Sequence, residues 1–143
     1  MVQCSIVNHM VQLKHPVLIV AAALVAAVAI NLAIYLVGGA LGATYQFTNA
    51  GQALEVDRLT LVGFTSVPLA VGLTLAAVLG RIRRVFYRIA LVVGPVFAVS
   101  TIAIMTVPTD LSLASKITLG LCHVALVPVM VAALLALSHR KPS

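Results

Sequence analysis

The chain has 143 residues, 62% of them hydrophobic and only 8% charged, with a mean hydropathy of +1.18. A soluble domain of this length needs about a quarter of its residues charged, so a water-soluble globule is excluded, and the length fits one domain. The formal net charge of +6 and pI near 10.0 do not point to nucleic acid, which asks for a basic face carrying polar or aromatic readers; here a few arginines border apolar runs, and the anionic partner they imply is a membrane surface.

In chain order, the first nine residues read as a loosely ordered polar lead, with Met10 an alternative start to Met1. From Pro16 to Leu41 the sequence is almost wholly apolar, and no charge appears between Lys14 and Glu55. The run also bears reading as a cleaved leader, with Lys14 and His15 before it and Ala27-Val28-Ala29 as a cleavage site. Its length exceeds a leader's apolar core of 7–15 residues, which argues for retention. Gly42 to Asp57 is the longest polar stretch, with a turn at Asn49-Ala50-Gly51 and Tyr45 and Phe47 alternating with polar residues; a short strand-like excursion or interfacial flap is expected there. Residues 59–80, 89–109 and 117–139 are uncharged runs of 22, 21 and 23 residues. About 20 residues at 1.5 Å each cross a bilayer core, and in lipid each backbone amide must bond within its own segment. The expectation is an all-α membrane protein, a four-transmembrane-helix bundle with helices near 17–40, 59–80, 85–107 and 117–138. An outer loop at 42–57 and short tails at 1–16 and 139–143 complete it.

Orientation follows from charge. Lys14, Arg81, Arg83, Arg84, Arg88, Arg140 and Lys141 fall on one side and Arg58 and Lys116 on the other, together with all three acids, Glu55, Asp57 and Asp110. The positive-inside rule puts the seven, and both termini, in the cytoplasm. Arg81, Arg84 and Arg88 follow i, i+3, i+7 opposite Ile82, Val85, Phe86 and Ile89, the pattern of a helix lying at, or entering from, the interface. The cluster reads first as a topology anchor, with anionic-lipid contact by Arg81, Arg83, Arg84 and Arg88 or protein docking as sharper readings.

The segments INLAIY (30–35), VGFTSVPLAVGL (62–73), RIALVVGP (88–95), TIAIMTVPTD (101–110) and ASKITLGLCHVALVPV (114–129) resemble those of the small four-helix bacterial membrane proteins catalogued as domain of unknown function 6069. The resemblance spans about residues 17 to 138. It implies a bacterial inner-membrane protein with four helices, and no activity or functional residue comes with it.

Residues that could carry chemistry are few. Asn31 and Tyr35 share a face of helix one, and counting along each run puts them at one depth with Thr65, Ser66, Ser100, Thr101, Cys122 and His123. Such a set either lines an outer-half polar cavity or glues helices together, at about 0.6 kcal/mol per bond. His123 is an ionisable group within a span and so a functional candidate, though one interhelical hydrogen bond is its commoner use. Haem between paired histidines is not expected, since His9, His15 and His139 lie outside the spans. A zinc site from Cys4, His9 and His15 has poor spacing, and two distant cysteines make no disulfide framework. Pro68, Pro95 and Pro128 sit mid-span, where proline tends to kink a helix, and broken helices can mark transport sites. Gly38/Gly42, Ala22/Ala26, Ala29/Ala33 and Gly72/Ala76 repeat a small-xxx-small spacing suited to close helix approach. No Asp, Glu, Lys or Arg falls in the interior of a span, no phosphate loop or catalytic set is visible, and no cofactor or metal is called for. The sequence therefore favours a non-enzymatic membrane protein acting through helix packing, or through contact with lipids, a second copy or a membrane protein partner. A carrier of a small apolar molecule in the outer-half cavity is the alternative, and a membrane enzyme using His123 the weaker one.

Overall fold

The structure, a computed structural model, describes residues 2–139, with side chains from Pro16 onward. The fold is mostly helical: α1 (Val2–Ala40), a hairpin of β1 (Gln46–Asn49) and β2 (Gln52–Glu55), α2 (Arg58–Ile82), α3 (Val85–Thr101) continued by a π-helical turn (Ile102–Thr106), and α4 (Leu113–Ser138). Four stretches, Pro16–Ala40, Arg58–Ile82, Val85–Thr106 and Leu113–Ser138, are long and apolar enough to cross a membrane. Two starts differ from expectation. Helix α1 begins at Val2, where a loosely ordered lead was expected. Helix α4 begins four residues earlier than its uncharged run, because Ser112 caps it by accepting from the Ser115 amide, one of the bonds that helix N-termini require.

Helices α1, α2, α3 and α4 pack as neighbours around the bundle, and α2 also meets α4 across it, while α1 and α3 make no contact among the described residues. Pro68, Pro95 and Pro128 lie inside continuous helices, so none of the three breaks its helix. One stripe of α1, Ala23, Ala27, Asn31, Tyr35 and Gly38, faces the bundle. Two apolar clusters form the core. One holds Ala23, Ala27, Leu69, Leu73, Ala76, Ala133 and Leu134; the other, toward the hairpin, holds Tyr35, Ala43, Tyr45, Leu61, Leu111, Leu119 and Cys122.

The glycines divide by position. Gly38 packs where a side chain would strike Tyr45 and Thr118, and Gly80 packs against the ring of Tyr87. Gly42, expected as the partner of Gly38 in a helix-packing pair, lies past the end of α1 at φ +95°. There it closes a Schellman motif, in which the Ala43 and Gly42 amides donate to Gly38 and Gly39 carbonyls at 2.9 and 3.1 Å. Ala22, Ala26, Ala29 and Ala33 are exposed on the outer face of α1.

The hairpin fulfils the strand-like reading of the loop. Its strands pair antiparallel with Asn49 opposite Gln52, and Ala50 and Gly51 both take positive φ, the two-residue turn that matches strand twist. Asp110 ties the hairpin down by accepting from the Thr48 amide at 2.7 Å.

Candidate functional site

Three helices meet in a polar layer between the two apolar clusters. The Asn31 Nδ2 on α1 donates to Thr65 Oγ1 on α2 at 2.9 Å, and the Cys122 thiol on α4 donates to the Asn31 carbonyl at 3.8 Å. All three are within 3% of full burial. They meet because each extends its helix's inward stripe: Asn31 one turn beyond Ala27, Thr65 between Leu61 and Leu69. Asn31 Oδ1 is buried with no hydrogen-bond partner.

One turn nearer the hairpin, aromatic residues replace this layer. The Tyr35 hydroxyl donates to the Val56 carbonyl at 2.9 Å, the Tyr45 hydroxyl donates to the Tyr35 carbonyl, and the two rings stack with centroids 4.0 Å apart. The Tyr45 amide donates to Ser115 Oγ at 3.0 Å, and Ser115 in turn bonds Ser112 at 2.8 Å. Thr118 donates to Ala114 one turn back, at 2.8 Å. Tyr45 takes this place at φ +56°, a backbone region costly for a residue with a side chain and compensated here by burial and three partners. Burial pushes its phenol above the ordinary range.

Beside the stack, between the hairpin and the ends of α1 and α2 nearest it, an open cleft of about 660 Å³ is lined by Tyr35, Leu36, Gly39, Tyr45, Glu55 and Arg58, among others. Asp57, also on its rim, accepts from the Thr60 amide at 2.7 Å as the cap of α2, and hydrogen bonding from the Thr60 side chain first and its amide second lowers the carboxyl below the usual range. Asp110 is lowered likewise, first by the Thr48 amide.

Of the eight residues expected at one depth, the structure brings together Asn31, Thr65 and Cys122, with Tyr35 a turn away. Ser66, about 100° around the helix from Thr65, is half-buried, and Ser100 is exposed. Thr101 donates to Ala98 within its own helix at 2.6 Å. His123 is half-buried, and its Nδ1–H donates to the Leu119 carbonyl one turn back at 2.8 Å, an intrahelical bond where an interhelical one was expected. Only Tyr35 of the eight lines the cleft. Tyr45, Ser112, Ser115 and Thr118 were missed; the Ser112-x-x-Ser115 spacing is a helix-start signal that could have found two of them.

At the opposite end, Arg81, Arg83, Arg84 and Arg88 are exposed. Arg81 belongs to α2 and Arg88 to α3, with the chain turning at Arg83-Arg84. Of the two expected arrangements, a helix lying at the interface is not seen; α3 starts at Val85, directly after the turn. Lys14, Arg140 and Lys141, and the zinc set Cys4, His9 and His15, lie outside the described side chains. Among the described residues no three His, Cys, Asp or Glu side chains gather as a metal site would need.

Residues 12–140 match the model of a family described as "Family of unknown function (DUF6069)". The chain belongs to that family. No curated protein and no solved structure matches it. For this member, then, the polar layer, the cleft and the arginine turn are the features from which a function must be argued.

Proposed function

We propose that this is a non-enzymatic protein of the bacterial inner membrane, acting through contacts with lipids or another membrane protein, with both termini cytoplasmic and the hairpin outside. The observation that carries the reading is how the bundle uses its polar side chains. Asn31, Thr65, Tyr35, Tyr45 and Ser115 bond across elements, Cys122 bonds the α1 backbone, and His123 and Thr101 bond their own helices. The bonds across elements knit the bundle together, and those of His123 and Thr101 are spent within their own helices. The exposed Ala22, Ala26, Ala29 and Ala33 on α1 support close approach of a further helix. The charge asymmetry supports the orientation.

The test takes the two most reactive side chains away. His123→Asn and Cys122→Ala, expressed from the native locus, should reverse whatever phenotype deletion produces, with abundance near wild type. A His123→Asn protein that is abundant and folded yet fails to complement refutes the non-enzymatic reading. Cysteine labelling in cells checks orientation: a cysteine at Gly51 should react from outside, and one at Ser143 should not.

The outer cleft favours a second reading, a binder of a small, largely apolar molecule, because Tyr35, Leu36 and Leu59 give it an apolar wall beneath the Glu55, Asp57 and Arg58 rim. Gly39 has space beside it, so Gly39→Leu fills the cleft without dismantling the bundle. Loss of a co-purifying small molecule in that variant supports this reading, and an unchanged extract rejects it.

A further inference from the structure

The α2–α3 turn concentrates charge that no described side chain offsets. Arg81, Arg83, Arg84 and Arg88 are all exposed around it. The chain's only side-chain carboxylates, Glu55, Asp57 and Asp110, sit at the hairpin end. Helix α2 has 25 residues, so about 37 Å separates the two ends, several times the roughly 8–10 Å over which exposed charges interact at physiological salt. The counter-charge has to come from another molecule.

The start of α3 supplies no counter-charge either. Helix α3 starts at Val85 with no acidic residue in its first turn, and Arg84 before it provides no capping side chain. Two of its opening amides, those of Phe86 and Tyr87, donate to the Arg83 and Arg84 carbonyls at 3.1 and 3.2 Å, which leaves the guanidinium groups as the partners an anion would meet. The position is also fixed. Tyr87 is buried against Gly80, with ring atoms 2.2 Å from where a Cβ would stand, and this contact holds α2 and α3 together directly beneath the turn.

What flanks the arginines selects the kind of anion. Ile82, Val85 and Ile89 are 70%, 49% and 47% exposed on the same two turns of chain. A free anion or an acidic protein surface would leave that apolar skirt uncovered, whereas an amphipath covers both. The arginines stand where two spans end, the depth of lipid phosphates.

We propose that the α2–α3 turn binds the headgroup of an anionic phospholipid, its phosphate held by the guanidinium groups and its acyl chains lying against Ile82, Val85 and Ile89. The proposal deepens the reading of the protein as one that works by lipid contact. Guanidinium forks suit phosphate oxygens better than a lysine point charge does.

The test uses the full chain purified in a neutral detergent, offered phosphatidylglycerol, phosphatidylcholine or inorganic phosphate and read by native mass spectrometry and thermal shift. Wild type should retain phosphatidylglycerol at least tenfold over phosphatidylcholine. Each arginine changed to glutamine should lower that retention about fivefold, the worth of one basic residue near an anionic surface. Arg83→Gln and Arg84→Gln are made singly as well as in the fourfold variant, since each leaves most of the orienting charge in place. Lys116→Gln, at the other end, should change nothing. Equal retention of the two lipids, or a preference that survives in the fourfold variant, overturns the proposal. Displacement of the lipid by millimolar inorganic phosphate also overturns it in favour of a soluble anion. Labelling at Gly51 in the same variants separates the outcomes: lost lipid with unchanged topology concerns this site alone, whereas altered topology in wild type refutes the membrane orientation on which it rests.

Discussion

Removing the hydroxyl of Thr65 should cost the fold more than removing the asparagine it serves. In the native bundle Asn31 Nδ2 donates to Thr65 Oγ1 at 2.9 Å, while Asn31 Oδ1 already lacks a partner, and both residues are at most 3% exposed. Thr65→Val strands the amide completely. A buried polar group left unpaired costs about 1–3 kcal/mol, so we expect a loss of about 1–2 kcal/mol. Asn31→Leu keeps the branched outline and deletes an interhelical bond of about 0.6 kcal/mol. It also deletes the stranded acceptor, and the freed Thr65 hydroxyl can turn to a carbonyl of its own helix. The net change should fall within about 0.5 kcal/mol of wild type, against a modest overpacking cost from the larger side chain. In the Asn31→Leu background, Thr65→Val should then lose most of its effect. The double-mutant cycle is read by reversible denaturation in detergent micelles. If Asn31→Leu proves the more damaging of the two, or the effects simply add, the account of the polar layer is wrong.

Other expectations follow from single contacts. Gly80→Ala drives a methyl into the Tyr87 ring, whose atoms lie 2.2 Å from its place, and should destabilise by about 1–3 kcal/mol; Gly63→Ala and Gly72→Ala, with nothing within 4 Å, should stabilise by up to about 1 kcal/mol through helix propensity, all read as melting temperatures. Asp110 accepts from the Thr48 amide, which lowers its carboxyl, so its tie to the hairpin is present above the unfolded value of about 3.9 and is lost as pH falls below it. Hydrogen exchange of the Thr48 amide, corrected for intrinsic rate, should accelerate only below about pH 4, and Asp110→Asn should weaken protection at neutral pH and remove the pH step.

The four spans were legible because the length of an uncharged run depends on sequence alone, and the hairpin turn because Asn49-Ala50-Gly51 is local chemistry. Depth along a helix could also be counted, which is why Asn31, Thr65 and Cys122 were named together. Azimuth could not be counted. Ser66, Ser100 and His123 were assigned the same depth yet point elsewhere, because the face a membrane helix turns inward is set by its neighbours and not by a contrast between apolar and polar sides. Gly42 has the right spacing from Gly38 for helix packing, but the helix ends between them. The docking of Tyr45 on Tyr35, and of Thr48 on Asp110 62 residues away, joins segments whose proximity only the fold creates. The π-helical turn, with the Val107 amide donating to Ile102 at 3.0 Å, has no local signature at all.

Helix α3 brings these features to bear on how the bundle is held. Only Tyr87 is buried along it, and Val92, Val93, Val96 and Phe97 are exposed. In water that surface would drive the helix inward, but lipid is as apolar as the bundle interior, so close packing must supply the attachment. The structure supplies it at glycines. Gly80 of α2 receives the Tyr87 ring at the base of the helix, and Gly94 of α3 lies against Met130 of α4 midway, where a Cβ would stand 2.8 Å from the sulfur. The two differ in kind: the ring is rigid and fixes the arginine turn, whereas methionine has three rotatable bonds and adapts. Helix α3 is thus anchored firmly at the arginine end and more yieldingly above it. Beyond Gly94 its regular hydrogen bonding gives way to the π-helical turn, a feature often found at functional sites. A lipid bound at Arg81–Arg88, as proposed above, would meet the rigid Tyr87 contact at the start of α3, with the looser Met130 contact farther along the helix.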